Sequence, residues 1–167
     1  MNPVWHVHNG NIPKENNIMS FSMLLNLVET SNADSKDLLW KFVKKYKTNL
    51  NEKEFPIFDK LVDYAIKYYK DVISPNKKYK TPNSDEKKVL MLLVKALDEC
   101  NDKMTPEDIQ TKIFSVGKEN GYKDNLRDWF KLIYEVVFGD ENGPRIGFFI
   151  SFFGVKETQN LIKEKIM

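Results

Sequence analysis

Apolar positions in this chain recur at the spacing of one helix face, and no segment alternates residue by residue as a half-buried strand would. The first periodic stretch, "SFSMLLNLVETS", puts Phe21, Leu24, Leu25 and Val28 at i, i+3, i+4 and i+7, with Ser20 placed to cap it. In "NADSKDLLWKFVKKY", Asp34 or Ser35 is the cap and Leu38, Leu39, Phe42 and Val43 the inner face. Lysines fill its last turns, where they suit the negative end of the helix dipole. The third stretch, residues 52–73, aligns Phe55, Phe58, Leu61, Val62, Ala65, Tyr69 and Val72 and tolerates Pro56 because it falls in the first turn. It is the longest of the early helices.

Two prolines then break the pattern in "SPNKKYKTPNSDEKK", and Ser84, Asp85 and Glu86 mark the next start. That helix has Val89, Leu92, Leu93, Ala96 and Leu97 on its stripe. "MTPEDIQ" is a strong start signal: Thr105 caps, Pro106 takes the first helical position, and Glu107 and Asp108 meet the positive end of the dipole. Ile109, Ile113 and Val116 form the inner face. From Leu126 to Phe138 the stripe is Leu126, Trp129, Phe130, Ile133, Val136 and Val137, ending at Gly139. "RIGFFISFFG" is apolar all round and short, a buried helix, and Gly154 divides it from the amphipathic "VKETQNLIKEKI". The pattern predicts an all-α domain of about eight helices over residues 20–167, led by a linker segment, residues 1–19. If it consists of two subdomains, they are residues 20–80 and 84–167.

Composition adds little about chemistry but narrows the setting. The single cysteine, Cys100, lies in an amphipathic pattern and suits an inert buried thiol in a reducing, cytoplasmic compartment. No apolar run approaches the roughly 20 residues that span a bilayer, and the N-terminal residues do not read as a secretion signal. Net charge is only +2, yet residues 36–80 hold 12 lysines against 6 acids. That basic middle would attract phosphate, or it is a solvated lysine face.

The remaining candidate chemistry is sparse. His6 and His8 in "NPVWHVHNG" would point the same way from an extended segment, but they are the only histidines, and zinc needs three or four ligands. No metal site is expected, and Trp5 beside them reads as a packing anchor. The glycines of "GPRIGFFISFFG" follow no strand and precede no Lys-Ser or Lys-Thr, so they form no phosphate loop. No catalytic residue and no cofactor site is expected. The most suggestive stretch is "KYYKDVISPNKKYK", where lysines for phosphates interleave with tyrosines for unpaired bases. Pro75 and Pro82 should keep Lys77, Lys78, Tyr79 and Lys80 extended and exposed.

The stretches "NPVWHVHNGNIP" and "IMSFSMLLNLVETSNADSKDLLWKFVKKY" resemble the start of the C-terminal part of bacterial class I lysyl-tRNA synthetases. The ending "LRDWFKLIYEVVFGDENGPRIGFFISFFGVKETQNLIKEKI" resembles the closing helices of that family, and more loosely those of glutamyl synthetases. The resemblance implies an α-helical cage that holds the anticodon end of lysine tRNA. An upstream Rossmann-type catalytic domain of the same polypeptide would use ATP and Mg to activate lysine and charge the tRNA. The two ATP signatures of that domain are absent from this sequence. "IMSFS" matches the Lys-Met-Ser-Lys-Ser type only at Met19, Ser20 and Ser22 and lacks both lysines, so the chain alone should be inactive.

On this reading Lys77, Lys78, Tyr79 and Lys80 contact the RNA loop. Arg127 and Arg145, the only arginines, are candidates for planar contacts to bases or phosphates. A helical protein-interaction module without nucleic-acid binding is the competing reading.

Overall fold

The computed structural model describes residues 18–31, 35–46, 50, 52–101 and 104–167. Trp5, His6, His8 and the cap candidate Asp34 lie outside the described residues. Among the described residues there are eight α-helices and no strand: α1 Phe21–Ser31, α2 Lys36–Tyr46, α3 Pro56–Tyr68, α4 Ser84–Leu97, α5 Pro106–Glu119, α6 Leu126–Val137, α7 Ile146–Phe153 and α8 Val155–Ile166. The all-α expectation holds, and no helix of the described residues is long and apolar enough to cross a membrane.

Helix ends follow the local chemistry. The Ser20 hydroxyl accepts a bond from the Met23 N–H at 3.2 Å. Thr105 and Asp108 exchange the reciprocal bonds of a capping box, with Pro106 at the first position. Asn83, not Ser84, caps α4: its side chain accepts from the Asp85 and Glu86 N–H groups, and the Glu86 carboxylate accepts from the Asn83 N–H. Gly139 (φ +57°) and Gly154 (φ +115°) end α6 and α7 in backbone conformations that other residues rarely adopt.

Which face points inward differs from the pattern in several helices. In α1 the buried set is Met23, Leu24, Leu27 and Val28, while Phe21 and Leu25 are only partly covered. In α2 Trp40 is fully buried beside Leu39 and Val43, and its indole N–H donates to Asp59 at 3.0 Å. In α4 the core takes Leu90, Leu93, Val94 and Leu97 and leaves Leu92 41% exposed. Val72 is 45% exposed because α3 continues through a π-helical turn, Tyr69–Ile73, and a 3-10 turn, Ser74–Asn76. The wider π turn rotates later side chains off the stripe. The face of α5 matches, with Ile109, Ile113 and Val116 buried; in α6 Trp129, Ile133, Val136 and Val137 are buried as expected, but Leu126 and Phe130 are only partly covered and Leu132 joins the core.

The apolar α7 is the hub. It crosses α5 at Gly147, where an added Cβ would lie 2.7 Å from the Gln110 backbone nitrogen, so only glycine permits the approach. The Gly147 N–H donates to the Gln110 side chain at 2.8 Å. Phe153 stacks on Phe42 of α2, and Phe149 meets Phe138 edge to face. Gln159 of α8 donates to the Val94 carbonyl and to Asp98, tying α8 to α4. One continuous apolar core results.

Candidate functional site

Between the 3-10 turn and α4 the chain runs extended from Lys77 to Asn83. This strap carries the four residues singled out from sequence. Pro75 and Pro82 do not leave it free, because three of the four are bound into the fold. The Lys77 ammonium lies 3.0 Å from the Glu29 carboxylate of α1 and donates to the Phe138 carbonyl at the end of α6. Its side chain is only 13% exposed, which corrects the expectation of an exposed Lys77. Tyr79 keeps part of its ring in solvent, but its hydroxyl donates to Glu29 at 2.6 Å and the Lys165 ammonium covers its ring at 3.5 Å from the centroid. The Lys80 N–H donates to the Glu135 carbonyl, and its ammonium pairs with Glu86 at 2.7 Å and Glu135 at 3.5 Å. Lys78 is exposed and forms no ion pair with the described residues.

Glu29 organises the strap. Burial raises its carboxyl above the ordinary value, against the pull of Tyr79 and Lys77. Burial also pushes the Tyr79 hydroxyl upward, and Glu29 reinforces the shift. Burial alone would raise Glu86, but the bonds from Lys80 and the Asn83 N–H outweigh it and lower the carboxyl. The same Lys80–Glu86 bond raises Lys80. Gly139 lets the strap pass close over the end of α6: a Cβ there would meet the Lys78 carbonyl at 3.2 Å and the Tyr79 ring at 3.3 Å.

Two recesses flank the strap and share Asp140. One is shallow, lined by Lys78, Tyr79, Lys80, Glu135 and Gly139. The other, a cleft of about 500 Å³, lies between α1 and the Asp140–Arg145 turn. Lys77 and Arg145 both line it, with Asn26, Asn142, Leu25 and Phe148. Arg145 faces Glu107 at 3.4 Å, and both side chains are largely exposed. The turn is braced: the Tyr134 hydroxyl donates to the Pro144 carbonyl at 2.9 Å, and the Asn142 N–H donates to Asp140 at 3.2 Å. An added Cβ on Gly143 would lie 2.7 Å from Tyr134 Cε1.

Lys77 and Arg145 thus line one cleft and Lys78, Tyr79 and Lys80 the recess beside it, whereas Arg127 lines neither. It is exposed in the first turn of α6, eight residues before the Glu135 that the strap touches, or roughly 12 Å along the helix. Trp129 belongs to the core, as its place in the stripe implied, and its indole N–H donates to the Ile113 carbonyl at 2.9 Å. Sequence reasoning missed Glu29, although an acid following Val28 on a mainly apolar helix face was a usable signal. Lys165, Asn26 and Asn142 offered none.

Over 166 residues, 99% of its length, the chain is 39% identical to a protein named lysine–tRNA ligase from Rickettsia felis. It is 38% identical over the same share of its length to proteins of that name from Rickettsia bellii and Rickettsia africae. The match takes up 31% of the first protein and 32% of the other two, so the chain spans about a third of the length of the curated relatives it matches. No protein-family model matches the chain, and no solved structure matches it.

Proposed function

We propose that this chain is the tRNA-binding, anticodon-recognising helical portion of a class I lysyl-tRNA synthetase of bacterial type. The observation that carries the reading is similarity along 99% of the chain to a third-length part of proteins named lysine–tRNA ligase. The class and the role as an anticodon cage rest on the resemblance at both ends of the chain and agree with an all-α fold. Lysine activation with ATP and Mg then belongs to a catalytic domain elsewhere on the parent polypeptide, in the cytoplasm. Lys78 supplies a phosphate contact, and the recesses beside it admit parts of an unpaired loop.

The test is a fluorescence titration of the full chain with lysine tRNA and with an unrelated tRNA. Lysine tRNA is expected to bind more tightly. Lys78→Ala should weaken binding and reduce the slope of log affinity against log salt by about 1. Equal affinity for both tRNAs at physiological salt would remove the anticodon reading. The protein-interaction alternative has one observation in its favour: exposed Met91 and Leu92 form an apolar patch with Ile166 and Met167, edged by Lys87, Lys88 and Lys95. It predicts that Leu92→Glu abolishes partner capture while RNA affinity stays at a nonspecific level.

A further inference from the structure

We infer that the cleft between α1 and the Asp140–Arg145 turn receives one unpaired nucleobase of the bound RNA, whose edge pairs with Asn26 and Asn142. This rests on the RNA-binding reading above. At about 500 Å³ the cleft falls within the range of small-ligand sites. Its charges suit a neutral group better than a phosphate. Lys77 is engaged by Glu29 and the Phe138 carbonyl, Arg145 faces Glu107, and Asp140 adds a carboxylate at the rim.

What the cleft offers instead is amide chemistry between apolar walls. Asn26 donates through its nitrogen to the Ser22 carbonyl at 2.8 Å, and its side-chain oxygen accepts no bond from the described residues. The Asn142 side-chain amide bonds to none of them. An open acceptor and an open amide suit the edge of a base, and partly buried Leu25 suits one of its faces. Both walls are set before binding. Lys77 holds the strap to α1, and Tyr134, Gly143 and the Lys131–Glu141 pair hold the turn, so little ordering remains to oppose binding. The exposed Lys78 lines the neighbouring recess, which shares Asp140 with the cleft.

The experiment titrates the full chain with lysine tRNA transcripts in which each anticodon-loop nucleotide in turn is made abasic. One position is expected to lose about 10-fold in affinity, the lower part of the range for a stacked base. Asn142→Ala breaks no side-chain bond among the described residues, so it should fold normally by circular dichroism. It should bind intact tRNA more weakly and show little further loss at that abasic position. Lys78→Ala should weaken every transcript alike and retain the abasic penalty. A full abasic penalty in Asn142→Ala, or no penalised position in the native chain, overturns the inference while tRNA binding stands. Loss of any preference for lysine tRNA removes the reading on which it rests.

Discussion

Replacing Lys77 with methionine removes one partner of the least exposed ion pair in the described residues and leaves the Glu29 carboxylate, 4% exposed, with only the Tyr79 hydroxyl bond and the more distant charge of Lys165. At 3.0 Å the pair's direct attraction is about 5 kcal/mol for an effective dielectric near 20. Removing one partner of a buried pair costs about 3 to 5 kcal/mol, because the remaining charge stays buried. Partial exposure of Lys77 favours the lower end, so about 3 kcal/mol is expected, a fall in Tm of roughly 6 to 12 °C for a chain of this size. The sign of the pH dependence follows from Glu29. Its folded-state pKa is raised by burial, so its contribution to stability is present below its unfolded value and fades as pH rises through the folded value. Without Lys77 the folded value climbs further. The deficit of Lys77→Met should therefore be small in acid, grow as pH rises past the ordinary glutamate range, and level off above the variant's raised folded value. Urea melts followed by circular dichroism at a series of pH values measure it. In a Glu29→Gln background the same substitution should cost less, about 1.5 kcal/mol, the lower end for a hydrogen bond from a charged group. A deficit below about 1 kcal/mol at neutral pH, or one independent of pH, would refute the assignment of Glu29 as a buried charge held by Lys77.

Gly147→Ala forces a methyl group into the Gln110 backbone where α7 crosses α5, and should destabilise the fold by about 3 kcal/mol or more in denaturant melts. Asn83→Ala removes the α4 cap and should cost about 1 kcal/mol in the same assay, while Ser84→Ala, the start marked from sequence, should cost little. Trp129→Phe deletes the donor to the Ile113 carbonyl and should lower stability by about 1 to 3 kcal/mol, with loss of part of the buried tryptophan fluorescence, the buried Trp40 keeping its share.

The helices and their ends were legible in the sequence because the forces that make them are local. Thr105, Pro106 and Asp108 act within one turn, and the apolar spacing of α5 gives the inward face that is found, Ile109, Ile113 and Val116. In α1, α2 and α4 apolar residues cover more than one stripe, and the neighbouring helices chose between them. Trp40 went inside and Leu92 outside for that reason. The site was less legible still. Lys77, Lys78 and Lys80 are the same residue type within four positions, and sequence treated them alike. Tertiary structure separates them: Lys77 meets a carboxylate from α1, Lys80 meets carboxylates from α4 and α6, and Lys78 meets none among the described residues. Whether a lysine is a free cation depends on long-range packing, as does the cleft, whose walls come from opposite ends of the chain. Sequence determined that the chain forms helices and where they begin. Only the fold decided which charges remain available, because desolvation and pairing are properties of neighbours in space.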